Sequence, residues 1–144
     1  MTILISHRGN IDGEFHELEN NPTYIESAIK LGYDVEIDVW YINGKFMLGH
    51  DEAKYDVDYK FLMNKKLWCH AKNLDALVEM KKYDIHYFWH EEDTVTLTSK
   101  NYIWAYPGTQ PIIGSIAVKP ELYNENVNKC EGICSDFIKR YKND

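Results

Sequence analysis

The chain has 144 residues, 23 of them acidic and 16 basic, with a net charge of −7; 44% are hydrophobic and 14% aromatic. That is enough apolar material for the packed core of one domain, read here over 1–144, and it excludes global disorder. The acidic balance excludes the phosphate-neutralising mode of nucleic-acid binding, and no apolar run nears the ~20 residues of a membrane span. Three cysteines cannot all pair, and the first eight residues have neither the basic start nor the apolar stretch of a secretory signal. A reducing cytoplasm is therefore the expected setting.

Residues 2–6 read as a short β-branched strand that stops at His7-Arg8-Gly9. After a polar loop, Asn21-Pro22 opens a helix over 22–31, with Ile25, Ala28 and Ile29 as its buried stripe and Gly32 at its end. Residues 35–41 form the second strand: Val35, Ile37 and Val39 face one way, and Glu36, Asp38 and Trp40 the other. Asn43-Gly44 is a type I′ hairpin turn, because both of its central residues need positive φ. The return strand, 45–49, leads to His50-Asp51. Residues 67–71 form another core strand, and Asn73 caps a helix through about residue 83.

Beyond residue 84 strands are expected at 85–90, 95–98, 102–105, 115–118 and 132–135, with most gaps too short for helices. Strand, helix, strand at the start implies a parallel α/β fold. A full TIM (β/α) barrel takes about 250 residues. The expectation is a reduced or distorted TIM barrel with several outer helices missing. Such a barrel could cover its bare strands by self-association.

Four segments at strand ends carry chemistry. His7-Arg8 offers a proton-transfer group beside a phosphate-binding guanidinium. Glu36 and Asp38, two apart on one strand, converge as hard divalent cations require, on the face that a barrel turns inward. His50 follows the hairpin, but the ideal ladder pairs its position with Ile37, on the face away from the acids. Reaching them requires the chain to leave the ladder, which Gly49 permits. His70 and Lys72 share a face at the end of their strand and could meet the acid pair. Two further segments could line the mouth, His90-Glu91-Glu92-Asp93 and the one beginning at Trp104.

His-Arg-Gly, then Glu-x-Asp some thirty residues on, then His-Asp about a dozen later: in type, order and spacing this set resembles the glycerophosphodiester phosphodiesterase family, within the superfamily of phosphatidylinositol-specific phospholipase C. Residues 132–137, Gly-Ile-Cys-Ser-Asp-Phe, are similar to the family's closing segment. The resemblance implies a TIM barrel that hydrolyses glycerophosphodiesters to a phosphomonoester and an alcohol. It places catalytic histidines at His7 and His50, phosphate binding at Arg8, and metal carboxylates at Glu36 and Asp38. The family's third strand reads Glu-x-Lys where this chain has His70-Ala71-Lys72, so His70 stands as the third metal ligand. Mg²⁺ or Ca²⁺ is then the expected ion, with Mn²⁺ or Zn²⁺ brought in by the imidazole. Lys72 and Trp104 complete the expected substrate contacts.

The function expected is a metal-dependent phosphodiesterase acting on a small glycerophosphodiester-like molecule by His general acid–base catalysis. Two rivals stand beside it: a phosphate or head-group binding module with little turnover, and a metal-independent lyase releasing a cyclic phosphate.

Overall fold

In the computed structural model, which describes residues 2–142, the first elements are β1 (Ile3–His7) and α1 (Pro22–Lys30). Asn21 caps α1 by accepting the Thr23 amide on its side-chain oxygen, and Pro22 occupies the first turn, where an amide proton has no helical partner. The hairpin of β2 (Asp34–Ile42) and β3 (Lys45–Leu48) turns on Asn43 and Gly44, whose φ angles are 52° and 78°. Then come β4 (Tyr55–Val57), α2 (Tyr59–Leu62), β5 (Leu67–Ala71) and α3 (Leu74–Met80). The second half joins five short strands, β6 (Tyr87–Trp89), β7 (Val95–Leu97), β8 (Ile103–Ala105), β9 (Ser115–Val118) and β10 (Gly132–Ser135), by loops and by single 3-10 turns at Pro120–Tyr123 and Ile138–Tyr141.

β1 sits centrally, parallel to β2 and to β10. From β2 the parallel order continues through β5 to β6, and from β10 through β9 to β8. β7 is antiparallel to β8, and β3 and β4 extend from the far end of β2 as an antiparallel ribbon.

This arrangement overturns the expected TIM barrel, reduced or otherwise. The ten strands form one mixed sheet curled into a half-barrel, and among the described residues there are three short α helices, all before residue 81. The linkers explain it. Segments 90–94 and 98–102 are too short to cross back over a sheet as a helix, and 106–114 is broken by Pro107, Gly108, Pro111 and Gly114. No helix among the described residues is long and apolar enough to cross a membrane.

The period of two in β2 sorts its side chains as expected. Val35, Ile37 and Val39 join Leu67, Cys69 and Ala71 in a core against Ile25 and Ala28 of α1 and Ala76 and Met80 of α3. On the other side of the sheet Ile5, Trp68, Phe88, Trp104, Ile116, Val118 and Cys134 form a second core. Each large apolar side chain buried there stabilises by roughly 1.5–3 kcal/mol. Above this core, at the C-terminal ends of the parallel strands, the interior becomes polar.

Candidate active site

His7 ends β1 with Nδ1 2.7 Å from Asp136 Oδ1, just past β10. Asn10 donates to the same oxygen at 2.9 Å, and Lys119 Nζ is 3.5 Å from the other. Burial pushes the Asp136 carboxyl up, but the His7 contact, Asn10 and Lys119 outweigh it and hold it well below the usual range. An ionised carboxylate can only accept, so the Nδ1 proton of His7 faces Asp136 and Nε2 is left toward the site, 3.7 Å from Glu36 Oε1.

Arg8 turns the chain with a φ of 61°, a left-handed conformation that costs of the order of 1–3 kcal/mol in a non-glycine residue. Its amide donates to Glu36 O at 2.8 Å and its carbonyl accepts from the Asn20 amide at 3.0 Å, which holds the strained turn. Gly9 is required next: a Cβ there would meet the Tyr24 ring at 2.5 Å. The guanidinium sits between Glu19 Oε1, at 3.2 Å from Nη1, and Asp38 Oδ2, at 3.1 Å from Nε. Burial opposes this charge, but Asp38, Glu36 and Glu19 more than compensate and raise the Arg8 pKa.

Glu36 and Asp38 are 3% and 0% exposed, yet their environments differ. Asp38 Oδ2 accepts from Asn20 Nδ2 at 2.9 Å and lies 3.4 Å from His50 Nδ1. Burial works against ionisation of Asp38, but the contacts from His50 and Arg8 hold its pKa well below the ordinary value. Glu36 has no such set. Burial, then the neighbouring Asp38 charge, push it well above the usual carboxylate range. Glu36 Oε1 and Asp38 Oδ1 are buried without a hydrogen-bond partner.

His70, at the end of β5, lies with Nδ1 3.3 Å from Asp38 Oδ1 and 3.9 Å from Glu36 Oε2. Its Nε2 lies 3.1 Å from the carbonyl oxygen of His90, which can only accept, so Nε2 carries the proton. In the neutral ring the Nδ1 lone pair therefore faces the acids, the arrangement by which metal-ligating histidines are held. Ligand atoms of Glu36, Asp38 and His70 all lie within 4.8 Å of one another. Two orphaned carboxylate oxygens and an aimed imidazole lone pair fit a divalent cation.

His50 reaches the acids by leaving the ladder. Pairing ends at Val39 with Leu48, and a Cβ at Gly49 would lie 1.9 Å from the Glu52 carbonyl oxygen, so only glycine makes this departure. His50 Nε2 comes within 3.4 Å of Arg8 Nη2. Lys72 and Trp104 line the same open pocket of about 340 Å³ as His7, Arg8, Glu36 and His70. Trp104, only 4% exposed between Trp68 and Phe88, is its floor.

The structure thus brings together all eight expected site residues: His7, Arg8, Glu36, His50, His70, Lys72 and Trp104 line one pocket, and Asp38 lies buried behind them, against Arg8, His50 and His70. It adds four that sequence reasoning left without a role: Asn10, Glu19, Asn20 and Asp136. Asp136 was legible as a carboxylate directly after a strand, whereas the Asn and Glu residues lie in a polar loop whose course no local pattern predicts. Comparison with protein-family models, with curated proteins and with solved structures finds no match to this chain.

Proposed function

We propose that this chain is a metal-dependent phosphodiesterase acting on a small glycerophosphodiester-like substrate, a reading in keeping with its resemblance to the glycerophosphodiester phosphodiesterases in residues 3–51. The observation that carries it is the meeting of two histidines, an arginine and a carboxylate–imidazole cluster at one pocket. Glu36, Asp38 and His70 would hold the cation, which when bound supplies Lewis-acid polarisation of a phosphate oxygen. Arg8 binds a second phosphate oxygen, and Lys72 adds positive charge to the same wall. One of His7 and His50 accepts the proton of the attacking hydroxyl and the other protonates the leaving alkoxide. Asp136 keeps His7 in one tautomer, so proton transfer occurs at Nε2. Trp104 and the residues beside it exclude water from below.

The test is a panel of glycerophosphodiesters and a chromogenic phosphodiester, each with added Mg²⁺, Ca²⁺, Mn²⁺ or Zn²⁺ and with EDTA. Turnover that needs an added ion and stops in EDTA supports the reading; no turnover with any ion sinks it. A second reading, a metal-independent lyase, has one observation in its favour. Arg8, His50 and Asn20 already balance Asp38 without a cation. Under that reading EDTA is harmless and a cyclic phosphate accumulates, visible by phosphorus NMR.

A further inference from the structure

The imidazole of His70 is useful to a cation only if its proton stays on Nε2, because the alternative tautomer would donate from Nδ1 to Asp38 Oδ1, 3.3 Å away. What holds the proton on Nε2 is one peptide carbonyl, that of His90. This carbonyl lies in the loop after β6, not in a strand ladder, so something other than sheet pairing must orient it.

Asp93 does so from two directions. Its Oδ1 is bonded to His90 Nδ1, and its Oδ2 accepts from the Glu91 amide at 3.4 Å. The Glu91 N–H and the His90 C=O belong to the same planar peptide unit and point oppositely, so gripping one aims the other. The His90 ring is also braced by the Tyr106 ring, 4.1 Å away at 71°, and the Thr96 hydroxyl donates to Trp89 O at 2.9 Å. Phe88 stacks on His70 at 5.1 Å and 6°, fixing the plane of the ring but not its tautomer.

We infer that Asp93 is a positioning residue of the cation site: through the His90 side chain and the His90–Glu91 peptide it holds the carbonyl that keeps the His70 Nδ1 lone pair turned toward Glu36 and Asp38. The inference rests on the cation site of the proposed function, but not on turnover. It assigns a role to an acidic run, residues 91–93, that otherwise reads as a solvated loop. It also sets Asp93 apart from Glu92, its exposed neighbour of equal charge.

The experiment uses the full chain and measures Mn²⁺ and Zn²⁺ affinity by titration calorimetry for wild type, Asp93→Ala, Asp93→Asn and Glu92→Ala. Asp93→Ala should weaken binding about 10- to 100-fold, the usual cost of losing an outer partner of a metal ligand. Asp93→Asn keeps one acceptor oxygen and should fall between. Glu92→Ala, which removes the same charge from the same loop, should stay within about twofold of wild type. Imidazole nitrogen NMR on the cation-free protein at alkaline pH gives a second readout. His70 should be the Nε2–H tautomer in wild type and a mixture in Asp93→Ala, a change that general loosening of the fold would not confine to His70. Equal affinity in Asp93→Ala and Glu92→Ala, with an unchanged His70 tautomer, overturns the inference while leaving the cation site standing. Absence of any binding by wild type overturns both.

Discussion

The two arcs of the curled sheet face each other across the pocket and are built differently. The arc of β1, β2 and β5 is backed by α1 and α3 and turns His7, Glu36, Asp38 and His70 inward. The arc of β6, β8 and β9, of which β6 still packs on α3 while β8 and β9 follow the last α helix among the described residues, turns Phe88, Trp104, Ile116 and Val118 inward. The helix-backed strands fill their outer side with aliphatic packing, which leaves their inner side free to carry charge. The bare strands must place their large apolar groups on the inner side. Charge on one arc and apolar wall on the other is thus a consequence of where the chain could afford helices. The division is sharpest at the C-terminal ends of the strands: lower down Ile5 and Trp68 of the first arc join the apolar wall, while Asp136, at the end of β10 between the arcs, faces His7.

The sharpest way to break this contrast is to remove charge from the polar arc. Glu36→Gln and Asp38→Asn should each abolish divalent-ion binding and lower turnover by at least about 10³-fold. Their stabilities in EDTA should diverge. The ionised form of Glu36 is disfavoured in the fold, so Glu36→Gln should raise the melting temperature by about 2–4 °C at neutral pH, with the gain vanishing below the unfolded carboxyl range near pH 4. Asp38 is ionised and held by its neighbours, so Asp38→Asn should cost about 1.5–3 kcal/mol. Calorimetric melts of both variants, with and without cation, check the pair; equal shifts would refute the difference between the two acids.

Next in size is the junction of the arcs. His7→Ala should lose about 10²–10⁴-fold in turnover, and Asp136→Asn a loss of similar order, because an amide can present its donor to the ring and reverse the tautomer. The folded-state pKa of Asp136 is depressed, so its stabilisation is complete above the ordinary Asp value near pH 4 and is lost as pH falls below it. Asp136→Asn should accordingly be less stable than wild type at pH 7, and the two unfolding curves should converge in acid. A stability gap that persists unchanged to low pH would show that the carboxylate charge does not matter there.

A smaller effect is expected at His70. His70→Ala should weaken the ion without abolishing it, since two carboxylates remain, whereas His70→Glu should shift preference toward Mg²⁺ or Ca²⁺ and keep binding at lower pH, where protons compete with a cation for an imidazole lone pair. Unchanged affinity in His70→Ala would rule out ligation. The least effect belongs to the apolar arc: Trp104→Phe should cost about 1–2 kcal/mol in a urea melt and leave kcat within about threefold. A larger fall in kcat would make Trp104 more than a floor.

Local pattern determined much of this protein. The strands at 67–71, 115–118 and 132–135, the cap at Asn21, the Asn43-Gly44 turn and the inward pair Glu36 and Asp38 all follow from periodicity and turn chemistry, which act over a few residues. Even the departure at Gly49 was legible as a necessity, because the ladder register left His50 on the wrong face. The small elements Tyr55–Val57 and Tyr59–Leu62 were not, being too short to establish a period. Tertiary structure alone decided how the sheet closes: a mixed half-barrel in place of a TIM barrel, because curl depends on what packs behind each strand and not on the strands themselves. It alone decided that Asp136 meets His7 across 129 positions of chain, and that Asn20 meets Asp38. Such partners are selected by the strand order β2–β1–β10, and hydrogen bonds between residues far apart in the chain leave no trace in local spacing.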